Sequence, residues 1–242
     1  MTKLEHLTLN ERVYQRIRDS VLNGTAPPHA RLDEQSLAKE MGVSRTPIRE
    51  AIGKLTKEGL VEYRPYQGNF VRSFTPQQVN NLYRVRVALE ALAVRLAVPH
   101  LTDAQVEEFR VILDVGQDAL DQGDLIGYGT ADHRFHGMIA AYSGNDTLVE
   151  SLDRLGLQIQ VVRTAANHDP VLVRETAHQR EEIVAAFRAR DAVAAEQLLT
   201  EHIDAVRRSM VAQIEATERN SAEPENNGHL VVKRENASVP VM

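Results

Sequence analysis

The sequence predicts a mainly α-helical protein in two parts. A small head of three short helices ends in a β-hairpin, and a larger antiparallel bundle of about six helices follows. Three observations carry this. Apolar residues recur at three- and four-residue steps through most of the chain. Strand character is confined to the neighbouring stretches "LVEYRP" and "GNFVRSF", split by the turn signal "YQGN". The charge is divided: residues 1–75 carry 12 Lys and Arg against 9 Asp and Glu, and residues 76–242 carry 16 against 25, for a net −6 overall. A mildly basic head on an acidic body implies two modules with different partners.

The head reads element by element. Residues 9–23 form a helix with Val13, Ile17, Val21 and Leu22 on one face. Gly24 and the turn-forming "TAPPHA" end it. "DEQSLAKEM" is a second, short helix with Leu37, Ala38 and Met41 apolar, closed by Gly42. Val43 bridges to Ser44, a good N-cap for a third helix. Arg45, Thr46 and Pro47 fall in its first turn, where proline costs little because those N–H groups have no intrahelical partner. That helix runs to about Lys57 and ends at Gly59. Its apolar stripe is Ile48, Ala51, Ile52 and Leu55, and Arg45 and Arg49 share a different face beside Thr46. Helix, short helix, turn, capped helix with exposed cations and hairpin make a winged helix-turn-helix. The N-terminal residues of its recognition helix would face DNA, where arginine bonds a guanine edge or a phosphate. The alternative is a solvated helix with ordinary surface arginines.

The run "LDEQSLAKEMGVSRTPIREAIGKLTKEGLVEYRPYQGNFV" resembles the DNA-binding domain of the GntR family of bacterial transcription regulators, over roughly residues 9–73. The resemblance implies DNA contacts from Ser44, Arg45, Thr46 and Arg49, with Gly68 as a wing glycine entering the minor groove. Some relatives carry arginine where this chain has Gln35.

After Thr75-Pro76, helices are expected near 76–99, 102–122, 124–142, 146–167, 170–190 and 192–217. "TDAQ" is a capping box, "QGD" and "SGND" are breaks, and "NHDP" offers Asp169 as N-cap with Pro170 at the first helical position. Asp191 ends or restarts the last pair. Short links between amphipathic helices make an antiparallel bundle. The domains are therefore 1–75, a winged helix; 76–217, a helical effector domain; and 218–242, a polar tail expected to be disordered.

The informative stretch of the body is "ADHRFHGMI". Asp132 and His136 lie four apart and share a helix face with Leu125, Phe135 and Ile139. His178 sits in the fifth helix of the body among Val171, Ala185 and Ala189, off the Ile183/Phe187 stripe. His202 sits in the last with Ala195, Leu198, Leu199 and Val206. Polar groups aimed into a core need partners, and a bundle core is a usual place for a metal held by facing helices. Three imidazoles and one carboxylate suit zinc, nickel, manganese or iron(II) and leave positions open for a ligand. Hydrogen-bonded core histidines are the plainer reading. His133 points about 100° away from this face, and His100 and His168 read as cap or surface residues.

The runs "LYRVRVALEALAVRLAV", "ADHRFHGMIAAYSGN", "HQREEIVAAFRARD" and "EHIDAV" resemble the effector domain of the FadR-type subfamily, the FCD domain, over residues 80–210. The resemblance implies a divalent metal, zinc first, on Asp132, His136, His178 and His202, and a small organic acid as effector. Arg86, amid Val79, Leu82, Leu89 and Ala93, is either a salt-bridge partner of Glu90 or a clamp for the acid's carboxylate. The resemblance favours the clamp, with Arg163 a second candidate. It further implies a homodimer on palindromic double-stranded operator DNA, and repression relieved by a metabolite.

Composition adds bounds. The chain has no cysteine, so no disulfide scaffold or thiolate metal site. It shows no signal-peptide pattern and no run of about 18 apolar residues. These fit a cytoplasmic protein with no membrane partner. Two alternatives stay open: a metal-dependent hydrolase or lyase fused to a DNA-binding head, for which no positioned general base stands out, and an architectural protein whose bundle only dimerises.

Overall fold

The computed structural model describes residues 7–165 and 170–222. Asp169 as a cap, His168 and the tail from residue 223 lie outside the described residues. Helix α1 (Leu9–Leu22), α2 (Glu34–Met41) and α3 (Arg45–Glu58) are followed by β1 (Val61–Arg64) and β2 (Gly68–Val71). The bundle is α4 (Pro76–Ala97), a 3-10 turn (Val98–His100), α5 (Asp103–Asp121), α6 (Leu125–Tyr142), α7 (Asp146–Ala165), α8 (Pro170–Ala189) and α9 (Ala192–Ala222). Among the described residues no helix is long and apolar enough to cross a membrane.

Local chemistry sets the boundaries. Thr8 with Glu11, Thr75 with Gln78 and Thr102 with Gln105 form reciprocal capping boxes at α1, α4 and α5. Gly42 and Gly59 end α2 and α3 at φ of 66° and 78°, left-handed values that a side chain would oppose. Ser44 holds the N-cap position of α3 but its hydroxyl makes no cap bond, so the expected side-chain cap is absent. α9 runs past the expected end at 217, into the segment expected to be disordered. Its polar last turns are good helix material, supported by Thr217 bonding the Gln213 carbonyl and by Arg219 paired with Glu215.

β1 and β2 pair antiparallel, Val61 opposite Val71 and Arg64 opposite Gly68. The segment after α1 adds a short third edge: Leu32 N–H donates to the Asn69 carbonyl and Val71 N–H to the Ala30 carbonyl. The head core is Val13, Ile17, Val21, Ile48, Ile52, Leu55, Leu60 and Val71. The bundle core centres on Phe109, Phe135 and Phe187, with Phe109 edge-on to both of the others.

One bundle helix belongs to both cores. Ile159 and Val162 of α7 pack in the bundle, while Val161, fully buried, packs in the head with Leu157 against it. Gln158 Nε2 donates to the Glu58 carbonyl at the end of α3, and Gln160 Nε2 to the Leu22 carbonyl at the end of α1, both at 3.3 Å. These bonds satisfy helix-end carbonyls that have no partner in their own helices.

Candidate functional site

Two regions collect the residues singled out in the sequence. The first is the start of α3. Ser44, Arg45, Thr46 and Arg49 are all exposed there. Arg45 Nη2 lies 3.1 Å and Arg49 Nη2 3.4 Å from the same oxygen, Oε2 of Glu34 on α2. One carboxylate thus gathers both guanidinium groups on one side of the helix, with each arginine side chain more than half exposed. Gly68 opens β2 at a φ of 106°, a value that requires glycine. The tip of the hairpin belongs to Tyr66, which is fully exposed. Sequence reasoning passed over Tyr66. Its signal was an aromatic residue inside a turn, where no core has a use for it.

The second region is a buried polar centre inside the bundle, built from five helices. On α4, Arg86 Nε donates to Glu90 Oε1 at 2.5 Å. The other Glu90 oxygen lies 2.5 Å from His136 Nδ1 on α6. One turn before His136, Asp132 is bonded by two guanidinium groups: Arg163 of α7 to Oδ2, and Arg180 of α8 to Oδ1 at 2.9 Å. Arg180 also bonds the Tyr128 hydroxyl and, at 3.3 Å, the Thr176 carbonyl. His202 of α9 stacks on His136 with ring centroids 5.6 Å apart, and its Nδ1 lies 3.1 Å from Gln179 Oε1. Arg86, Glu90, Asp132, His136, Arg180 and His202 are all buried.

Electrostatics fixes the protonation pattern. Burial would raise the Glu90 carboxyl, but Arg86 and His136 outweigh it and push it down to about 2. Burial likewise opposes ionisation of Asp132, and Arg163 and Arg180 hold it well below the usual carboxylate range. Burial, with His136 alongside, pushes His202 far below the usual histidine value, so its ring is neutral. An ionised Glu90 can only accept, so His136 Nδ1 carries the proton and donates. His136 Nε2 is buried and without a hydrogen-bond partner, 3.7 Å from Asp132 Oδ1.

The structure brings three of the four expected metal ligands together. Asp132, His136 and His202 each place a ligand atom within 4.8 Å of the others, the grouping among the described residues that could hold a metal ion. His178 is a correction: its side chain is exposed and takes no part. The inward face of α8 is Thr176, Arg180, Ile183, Val184 and Phe187, and His178 sits between its turns. Leu125 is also exposed rather than crowding the Asp132 face. Two imidazoles and a carboxylate are a sufficient donor set for zinc. The charge around them does not suit a divalent cation. Both Asp132 oxygens already carry guanidinium bonds, and Arg86, Arg163 and Arg180 outnumber Glu90 and Asp132. An ion here would stand beside fixed positive charge in a low-dielectric interior.

Arg86 and Arg163 also line a cavity of about 30 Å³ with Glu90, Asp132 and His136. Both expectations for Arg86 thus meet in one side chain: it pairs with Glu90 and it faces the cavity. A larger cleft of about 360 Å³ lies outside it, between α1 of the head (Arg18, Leu22) and α6 and α7. His133, Gly156 and Gln160 line both spaces, so the cleft and the buried cavity share a wall. Of these two spaces, the cleft falls in the usual size range of small-molecule sites.

Two known families match the chain, one over the head and one over the bundle. The family described as "Bacterial regulatory proteins, gntR family" matches residues 9–71, and the FCD domain matches residues 81–205. The HTH-type transcriptional repressor RspR of Escherichia coli K12 is 25% identical over 202 residues, covering 84% of this chain and 89% of the relative. The HTH-type transcriptional regulator McbR of the same organism is 29% identical over 193 residues, 78% of this chain and 86% of McbR. Among solved structures, a GntR regulator from Rhodococcus sp. RHA1 superposes with a TM-score of 0.76 at 27% identity, covering 84% of this chain and 97% of that one. The structure of E. coli McbR/YncC gives 0.75 at 25% identity, with 88% and 99% covered.

Proposed function

This chain belongs to the gntR family of bacterial regulatory proteins, with an FCD domain behind its winged helix, and from that premise we propose that it is a repressor released from operator DNA by a small carboxylic acid bound between head and bundle. That the chain is a transcription regulator and not an enzyme follows from the family and from relatives such as RspR. The rest is our reading.

The single observation that carries it is the double docking of α7. Arg163 grips Asp132 beside the cavity, and Val161, on the opposite side of the same helix, is part of the head core. An acid whose carboxylate takes Arg163 competes with Asp132 for that guanidinium. Its body extends into the cleft walled by α1 and by Gln160, the residue that holds the end of α1. Binding there favours a head placement different from the one that fits the operator. His136 Nε2 lies in the cavity lining without a hydrogen-bond partner, and a hydroxyl can either donate to it or accept from it, which points to hydroxy acids. The zinc expected from the sequence would reach Asp132, His136 and His202 only with Arg163 and Arg180 turned away, and nothing in this scheme depends on it.

Recognition falls to Arg45 and Arg49, with Ser44 and Thr46 beside them and the Gly68 wing alongside. A helix-turn-helix of this kind reads two half-sites as a dimer. The half-exposed stripe Val85, Leu89, Leu92 and Leu96 along α4 is the surface we assign to the second copy. The test has two steps: selection of an operator from random double-stranded DNA, then a thermal-shift screen of carboxylic and hydroxycarboxylic acids. A palindromic operator and a stabilising acid that releases it would support the reading. A protein that selects no sequence, or an operator complex that no acid releases, would refute it.

A further inference from the structure

We infer that the guanidinium of Arg180 takes the place of a metal ion in this bundle, so that the effector site works without metal. This rests on the reading of the cavity as the sensor site.

The position of Arg180 is the first support. It enters the centre from α8, the helix expected to supply a histidine ligand, one turn before the core residue Val184. Its side chain is 3% exposed. Every direction it offers is engaged: Nη1 on Asp132, Nη2 on the Tyr128 hydroxyl and Nε on the Thr176 carbonyl. A buried guanidinium held on three sides is a fixed cation and does not lose its proton in a protein.

Charge is the second support. Asp132 is the only anionic donor among the three candidate ligands, and Arg163 and Arg180 already neutralise it. A divalent ion would have to displace both or sit against them. With the guanidinium in place, the same helices are tied together: α8 and α6 through Arg180 and Asp132, α7 through Arg163. Arg180 faces Tyr128 and Thr176 and away from the cavity lining, while Arg163 and Arg86 front the cavity. The division of labour is then clear. Arg180 is the built-in counter-charge that positions Asp132, and Arg163 is the group that can change partners when an acid arrives.

The experiment uses full-length protein purified without chelator. Metal content is measured by inductively coupled plasma mass spectrometry, and thermal unfolding is followed while zinc, nickel or manganese is added. Wild type should carry no ion above background and show no shift with any of the three. R180H, which places an imidazole beside Asp132, His136 and His202, should take up near-stoichiometric zinc and unfold at higher temperature with it. R180Q, which removes the charge but keeps a hydrogen-bonding end, should bind zinc more weakly than R180H and serves if R180H does not fold. Near-stoichiometric metal in wild type, lost in His202→Ala, would overturn the inference. So would a variant folded by circular dichroism that takes up no metal. Failure of the sensor reading looks different: no acid releases the operator, whatever the metal assays give.

Discussion

Val161 is buried in the core of the DNA-reading head, and Arg163, next but one along the same helix, is ion-paired to Asp132 in the core of the bundle. A helix turns about 200° over two residues, so the two side chains leave α7 on opposite sides. Movement of Arg163 therefore has a short mechanical path to the head.

That path predicts an uncoupled variant. Val161→Ala removes about two methyl groups from the head core and should cost about 1–2 kcal/mol of stability. It should leave the bundle's affinity for the acid unchanged while reducing operator release at saturating acid. Calorimetry of acid binding and anisotropy of labelled operator measure the two separately. Equal loss in both would place Val161 in the binding site and remove it from the coupling path.

At the DNA face, Arg45→Ala or Arg49→Ala should each cost about 1–3 kcal/mol of operator binding if the arginine reads a base. Glu34→Gln should act in the other direction on random DNA, because it removes a negative charge facing the phosphates and frees both arginines. Affinity for random DNA should rise and the ratio of operator to random binding should fall. Competition binding at matched salt decides it, and an unchanged ratio would mean that Glu34 does not order the two arginines.

The Arg86–Glu90 pair is fully inside the bundle. Arg86→Met leaves Glu90 as a buried charge short of a partner and should cost about 3–5 kcal/mol. Adding Glu90→Gln removes the charge while keeping an acceptor for His136 Nδ1, so the double variant should recover much of the loss. Chemical denaturation of the two variants provides the measurement. A double variant no more stable than the single one would show that Arg86 contributes by packing and not by pairing.

Much of this was legible in the sequence. The capping boxes at Thr75 and Thr102 and the closing glycines Gly42 and Gly59 are local chemistry, so the elements they bound were readable without the fold. The i, i+4 spacing of Asp132 and His136 and the apolar company of His202 and Arg86 placed four polar groups inside. Arg180 was legible and passed over. It shares the stripe of Ile183 and Phe187, while His178 lies off it; an expected residue type outweighed the periodicity. The double role of α7 was not legible. Periodicity shows that Leu157, Ile159, Val161 and Val162 are apolar, but not that two faces of one helix meet different cores. That depends on how head and bundle dock, which no local pattern encodes.

The most direct measurement is a titration of the protein–operator complex with a releasing hydroxy acid, followed by fluorescence anisotropy in the presence of a chelator, for wild type and Arg163→Met. Methionine keeps the unbranched apolar stem of the side chain and removes the group that holds Asp132 and meets the acid, while Arg180 still neutralises Asp132. Wild type should release the operator with chelator present. Arg163→Met should bind operator with near wild-type affinity and stay bound at acid concentrations that empty the wild-type complex. Release of the variant at the wild-type concentration would contradict the role of Arg163 as the link between acid and head.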